Sequence, residues 1–408
     1  MRPVIWLSLG VLAGCPKTDP SESPFDPPVT PVETPAAPVE APENPPEAPA
    51  ETTSAPSKSD GAAIAKVNDA ASLLASNTSS TATRAVTLLE DAIRLDPDLG
   101  VAYLNLGVAK QQLGDTAAAR GNFELATTKD PTLGEGWLYL GLLQAGAGDL
   151  DGAIATFKRG TEKAPSSMEL RAGLVETLRK AGRLDEAITE AKSALKQNSN
   201  SLAMYDALGA AYLAKGDLTM AKFVYQKAMQ GITGAENNAG IRTNLGWISQ
   251  KRGEKAFALY HLEAAHKLDP SYVPAMVYLS SIYLDDRNFQ DALPLLEGIV
   301  RAEPKNAGAR LNLGIAYRGL GRYTEAQAAY EKALELDPGS PDPWFNLGIL
   351  HGDFVKVTDS TLGSYDRAIE AFEKYIAAGG RQKELAATYV ADLQTEKKTA
   401  EKKKSKGG

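Results

Sequence analysis

The chain has 408 residues, of which 43% are hydrophobic, and it carries a formal net charge of −7. A single cysteine excludes a disulfide framework and a cysteine-built zinc site, because both need several thiols. Three histidines leave little material for a histidine metal centre. The negative net charge argues against nucleic acid as a partner.

The first fourteen residues have the pattern of an export signal. A short basic start, MRP, precedes the nearly all-apolar run VIWLSLGVLA. This run is too short to span a bilayer, which takes about 20 helical residues. It fits the hydrophobic region of a secretory signal peptide.

The export signal ends in Leu12-Ala13-Gly14-Cys15, which resembles the lipobox of bacterial lipoproteins. The resemblance implies that residues 1–14 are removed and that Cys15 carries diacylglycerol and acyl chains such as palmitate, which together anchor a protein stably. In that family an Asp after the cysteine often retains the protein in the inner membrane, and here the residue is Pro16. We therefore expect the outer membrane, facing the periplasm. The alternative is a plain signal peptide with an incidental cysteine.

Residues 15–60 comprise the cysteine and an acidic, proline-rich segment. Residues 16–60 hold 13 of the 24 prolines, with nine acidic and two basic side chains. Proline removes backbone donors and favours an extended chain of about 3.1 Å per residue. The composition predicts a disordered linker that acts as a spacer. A proline-rich ligand for a partner, or a thread through the cell wall, is the alternative.

The rest of the chain repeats with a period of 34 residues. Two groups of three prolines show this spacing within each group, with Ser199 and Thr233 at the two places between the groups; the prolines are Pro97, Pro131 and Pro165, and then Pro270, Pro304 and Pro338. With this proline as position 32, position 7 is leucine and position 20 is alanine in eight repeats, and position 8 is mostly glycine. Small residues let two helices approach closely. A fixed period of this size predicts a solenoid of stacked helix pairs.

Aromatic residues complete the pattern at positions 4 and 11. They are Tyr103, Trp137, Tyr205 and Trp344 at position 4, and Tyr212, Tyr283 and Tyr317 at position 11. With these residues the region resembles the tetratricopeptide repeat (TPR) family. The resemblance implies an all-α superhelical solenoid of about nine helix–turn–helix repeats with a C-terminal capping helix, preceded by the disordered linker.

The fourth repeat departs from this pattern at three positions. Arg171 replaces the aromatic residue at position 4, and Val175 replaces the glycine at position 8. Ala191 stands at position 24, where the other repeats have a large apolar residue.

The pattern predicts a TPR solenoid over 61–395 and a Lys-rich tail over 396–408. The predicted repeats are 62–99, 100–133, 134–167, 168–201, 202–238, 239–272, 273–306, 307–340 and 341–380, with a cap over 381–395.

No motif for catalysis is present in the sequence: it has neither a phosphate-binding glycine loop after a strand nor a Ser/His/Asp set. We expect no enzyme activity, no metal, no small-molecule substrate and no cofactor apart from the lipid on Cys15.

The TPR resemblance implies instead that protein partners bind a groove made by the first helices. An asparagine at position 6 of such helices can hydrogen-bond a ligand backbone, since an amide both donates and accepts. Bonding between helices is the alternative role for these four side chains: Asn105, Asn244, Asn312 and Asn346.

Positions 5 and 9 of the first helices are mostly apolar, which favours a hydrophobic or helical segment as the ligand. We expect them to face outward, so that acidic replacements leave the fold intact. The residues expected to contact the partner are Leu311, Ile315, Phe345 and Ile349.

Lipobox, spacer and repeats together predict a membrane-anchored periplasmic scaffold in the assembly of an envelope machine. The combination resembles the TPR lipoproteins of gliding-motility complexes. Two alternatives remain open: a pilotin-like assembly factor for a type IV pilus secretin, and an organiser of cell-wall enzymes.

Overall fold

The computed structural model describes residues 58–357 and 362–406, which form nineteen α-helices and one 3-10 helix and contain no strand. The predicted signal peptide, Cys15 and the linker up to residue 57 lie outside the described residues. The all-α prediction is confirmed. None of the helices in this part of the chain has the length and apolar composition needed to cross a membrane.

The described residues form two compact units, one ending at Glu236 and the other beginning at Asn237. The first unit contains α1 Lys58–Leu74, α2 Ser79–Leu95, α3 Gly100–Gln112, α4 Thr116–Lys129, α5 Gly134–Gly146, α6 Leu150–Lys163, α7 Met168–Lys180, α8 Leu184–Gln197, α9 Leu202–Ala214 and α10 Leu218–Gly231. The 3-10 helix Ala235–Asn237 lies at the division. The second unit contains α11 Ala239–Lys251, α12 Lys255–Leu268, α13 Val273–Asp285, α14 Phe289–Ala302, α15 Ala307–Gly319, α16 Tyr323–Leu336, α17 Asp342–Val357, α18 Leu362–Ala377 and α19 Lys383–Lys406.

Within each unit the helices pack in sequence order. Each odd-numbered helix up to α17 packs against the even-numbered helix that follows it, and the second helix of a pair packs against the first helix of the next. First helices of successive pairs also touch, as α5 and α7 do in the first unit and α11 and α13 in the second. This is the helix-pair stacking of a TPR solenoid.

A left-handed residue ends the first helix of most pairs. Gly114 and Gly148 have φ of 80° and 85°, a region that side chains disfavour. Asp115 then caps α4 by accepting a hydrogen bond from the Ala118 amide at 3.1 Å. In the α13–α14 turn the left-handed residue is Arg287, with φ of 57°.

The core of a repeat depends on the pairing of position 8 with position 24. A Cβ placed on Gly107 would lie 2.4 Å from the Phe123 ring, and one on Gly314 would lie 2.4 Å from the Tyr330 ring. Glycine at position 8 therefore makes room for the large side chain of the second helix.

The aromatic residue at position 4 connects successive pairs. The Trp137 indole nitrogen donates to the carbonyl oxygen of Pro131 at 2.9 Å, and the Tyr103 hydroxyl donates to that of Pro97 at 3.1 Å. The periodic proline thus accepts a hydrogen bond from the aromatic residue six positions later.

The C-terminal end differs from the predicted division into a cap and a tail. Helix α19 is continuous from Lys383 to Lys406, so 396–406 continue the helix that was expected to stop at 395. Lys, Glu and Ala are strong helix formers, and Lys397 forms an ion pair with Asp366 of α18 at 2.6 Å. Residues 396–406, predicted as part of a Lys-rich tail, are therefore helical.

Candidate partner-binding site

A cleft of about 440 Å³ opens in the second unit. The first helices α13, α15 and α17 line it together with the C-terminal ends of α14 and α16. Its lining residues are Val277, Ser280, Leu296, Ile299, Asn306, Ala307, Gly308, Ala309, Leu311, Asn312, Ala333, Asp337, Ser340, Asp342 and Pro343. Most of them are apolar.

Small residues at the start of α15 account for the space. Ala307, Gly308 and Ala309 occupy its first turn, and position 4 of this repeat is Arg310 rather than an aromatic residue. In the third repeat, by contrast, position 4 is Trp137, and a Cβ on Gly160 would lie 2.7 Å from the Trp137 Cβ. The eighth repeat lacks this filling.

Three polar side chains in the cleft lack a hydrogen-bond partner within the described residues. Asn306 already caps α15 by accepting from the Ala309 amide at 2.8 Å, and Asp337 accepts from the Gly339 amide at 3.2 Å. Asn312, Ser340 and Asp342, all partly exposed, form no side-chain hydrogen bond or ion pair in this part of the chain. Their polar groups are therefore available to a ligand.

The charge in the cleft is negative. Its charged lining residues are Asp337 and Asp342, and neither Lys nor Arg is among the residues that line it. Burial raises the pKa of the Asp342 carboxyl, and the positive charge of Arg381 opposes this only in part. The Asp342 carboxylate is therefore less well stabilised than it is in water.

Leu311 and Asn312 are the predicted partner-binding residues that line this cleft. The structure does not bring the other predicted asparagines to it. Asn105 and Asn244 are fully buried, and Asn346 is buried with its amide nitrogen donating to the Asp342 carbonyl oxygen at 3.0 Å. The burial of these three side chains disfavours contact with a ligand, and the Asn346 bond lies within one helix rather than between helices.

The expectation that positions 5 and 9 face outward is wrong for three of the four predicted contacts: Leu311, Ile315 and Phe345 are buried, at 7%, 3% and 4% exposed. Phe345 packs against Phe372 of α18 and Tyr389 of α19, with ring centroids 5.5 and 6.3 Å apart. Ile349, partly buried, packs against the same cluster. Helices α18 and α19 cover this part of α17, so an acidic replacement of Phe345 disrupts the core rather than a binding surface.

A second cleft, of about 330 Å³, lies in the first unit between α6, α7 and α8. Its charged groups already have partners: Lys158 pairs with Glu186 at 3.4 Å, and Glu190 pairs with the buried Arg171. Because these charges are compensated, the cleft in the second unit is the stronger candidate for a partner site.

Sequence reasoning missed Ser280, Asp337 and Asp342. Ser280 stands at position 8, Asp342 at position 2, and Asp337 in the turn after α16. The repeat pattern gives these places a structural role. The signal was the small triplet at 307–309 followed by a non-aromatic position 4, since this combination removes the side chain that Trp137 supplies in the third repeat.

The cleft offers apolar surface and hydrogen-bonding groups. Within the described residues no group of three or more His, Cys, Asp and Glu side chains is arranged to hold a metal ion. Such a surface suits a segment of another protein.

Relatives of this chain include "General transcriptional corepressor trfA" of Dictyostelium discoideum, 30% identical over 35% of this chain and 10% of that protein. "Protein O-mannosyl-transferase TMTC3" of Homo sapiens is 24% identical over 45% of this chain and 21% of its own length. The chain thus spans only a small part of these relatives. The solved structure of pilF from Pseudomonas aeruginosa is 18% identical with a TM-score of 0.47, covering 52% of this chain and 94% of that one.

Family models described as "Tetratricopeptide repeat" match residues 104–167, 279–341, 144–212, 329–370 and 202–230. Together these matches cover more than half of the chain and include α15, the helix at the centre of the cleft. The repeats they match are the helix pairs described above. The chain therefore belongs to the tetratricopeptide repeat family.

Proposed function

We propose that this protein is a non-catalytic scaffold that binds a segment of a partner protein in the cleft between α13 and α17. TPR proteins are suited to holding other proteins together. The observation that carries the proposal is the apolar cleft with Asn312 and Asp342 unsatisfied at its surface. An extended segment placed there can bury an apolar side chain while the Asn312 amide bonds its backbone.

The proposal also places the protein on a membrane. Cys15 in the LAGC sequence is the proposed lipid attachment point, and Pro16 favours the outer membrane, facing the periplasm. The proline-rich linker then separates the anchor from the repeats. These statements rest on the sequence alone.

Within the envelope, we assign the scaffold to the assembly of a gliding-motility machine. Its support is the combination of lipobox, spacer and about nine repeats. A pilotin-like role for a type IV pilus secretin and the organisation of cell-wall enzymes are the two rivals. Genes for motor, pilus or wall enzymes beside this gene distinguish the three roles.

Site-specific photo-crosslinking tests the binding proposal. A photoreactive amino acid at Asn312 should capture a protein in the living host. The same group at Glu325, which is exposed on α16 away from the cleft residues, serves as the control. Capture from Glu325 but not from Asn312 would move the partner surface away from the cleft.

A further inference from the structure

We propose that the cleft selects a partner segment that combines an apolar side chain with a lysine or arginine. The inference rests on the proposed function, in which the cleft binds protein, and adds the chemistry of the bound segment. It follows from the shape of the cleft and from the placement of its charges.

The apolar part of the segment is set by the base of the cleft. Val277, Leu296 and Leu311 line it from three different helices, and Leu296 and Leu311 are buried. A volume of about 440 Å³ lies within the range of ligand pockets. It accommodates an aliphatic side chain together with its neighbours in the segment, and no helix of the second unit fills it.

The cationic part follows from the lining carboxylates. Asp342 begins α17, and its side chain has no ion pair within the described residues. Among the described residues the positive charge of Arg381 lowers the pKa of the Asp342 carboxyl, but burial raises it by more. An ammonium or guanidinium group from a ligand supplies the missing charge-assisted hydrogen bond, and Asp337 adds negative charge nearby.

The same charges oppose an acidic segment. Glu or Asp in the bound segment faces two carboxylates without a lining Lys or Arg to compensate them. A neutral apolar segment loses the contact with Asp342 but avoids this repulsion. The expected order of affinity is therefore cationic, then neutral, then acidic.

Fluorescence anisotropy with three labelled peptides tests this order on the full chain. The probes are GGLLKLLG and two versions in which norleucine or Glu replaces the Lys. The Lys peptide should bind about tenfold more tightly than the norleucine peptide, which corresponds to one charge-assisted hydrogen bond. The Glu peptide should bind most weakly.

Asp342→Asn removes the charge and keeps the shape, so it should reduce the preference for Lys to about twofold or less. Glu335→Gln is the matched control, because Glu335 is an exposed carboxylate of α16 outside the cleft lining, and it should keep the preference. Circular dichroism verifies that both variants are folded.

Equal binding of the Lys and norleucine peptides by the wild-type chain would overturn the cation preference and leave the cleft as a protein site. A preference that survives in Asp342→Asn would remove Asp342 from the account. Absence of binding by all three peptides would overturn the inferred ligand chemistry. The proposed function is decided separately, by crosslinking from Asn312.

Discussion

At the scale of single residues, the repeats are held by complementary volumes rather than by fixed residue types. In most repeats a glycine at position 8 faces a large residue at position 24, as Gly141 faces the Phe157 ring. In the fourth repeat Val175 and Ala191 are both fully buried. We infer that a larger residue on the first helix there meets a smaller one on the second, so that two departures that look separate in the sequence compensate each other in the fold.

This compensation predicts non-additive stability. Val175→Gly alone should lower the free energy of unfolding by about 2–3 kcal/mol through a cavity and lost helix propensity. Ala191→Phe alone should lower it by about 2 kcal/mol through overpacking. The double variant restores the pattern of the other repeats and should recover at least about 1 kcal/mol relative to the sum. Urea unfolding followed by circular dichroism measures all three, and strict additivity would contradict the pairing.

The left-handed turn residue gives a second prediction. Arg287 adopts φ of 57° in a turn where other repeats have glycine. Arg287→Gly should raise the free energy of unfolding by about 1 kcal/mol, because a left-handed conformation is unfavourable for a residue with a Cβ. Gly253→Ala, at φ of 74°, should lower it by a similar amount, about 1 kcal/mol. A destabilised Arg287→Gly variant would show that contacts of the arginine outweigh its backbone conformation.

At the scale of helices, the sequence predicts where the helices lie better than it predicts which helices cover one another. The 34-residue period places the helix pairs correctly because Gly, Ala and Pro each have a local physical role there. The burial of Phe345 was not predictable in the same way, since it depends on α18 and α19, which cover it. Likewise the cleft results from the combination of Ala307, Gly308 and Ala309. Each of these small residues looks ordinary when its position is compared with the other repeats one at a time.

Helix α19 should therefore stabilise the end of the array. Ending the chain after Gly380 removes Tyr389 and Leu393 from the cluster around Phe345 and Phe372. Burying such side chains contributes about 1.5–3 kcal/mol each, so this truncation should lower the midpoint of thermal unfolding and promote aggregation. Ending the chain after Lys398 keeps the cluster and should leave the midpoint nearly unchanged. Equal midpoints for the two truncations would remove the capping role.

At the scale of the whole molecule, the proposed anchor, linker and repeats have separate tasks. The acidic charge is concentrated in residues 16–60, whereas the repeats are nearly neutral. Membrane attachment in this account depends on one atom, the Cys15 sulfur. The proposed partner cleft lies in the second unit.

Lipid labelling tests the anchor. Cys15→Ser should abolish incorporation of labelled palmitate in the bacterial host and leave the precursor unprocessed, because the thioether to diacylglycerol forms only at the Cys15 sulfur. Ser21→Ala, in the linker, should label normally. A Cys15→Ser protein that still labels and remains on the membrane would exclude the lipobox assignment.

The measurement that tests the central claim most directly is co-purification of partners after filling the cleft. Gly308 lines the cleft, and the nearest atom to a Cβ placed there is the Asn306 Oδ1 at 3.5 Å. A Cβ at position 308 therefore fits without a clash, and we expect the rest of the side chain in Gly308→Leu to occupy the cleft. Gly121→Leu is the matched control, since Gly121 lies in α4 with no atom within 4 Å of its Cβ position. The account predicts that Gly308→Leu loses the partner while remaining folded and that Gly121→Leu keeps it. A folded Gly308→Leu protein that retains the full set of partners would contradict the claim that this cleft binds them.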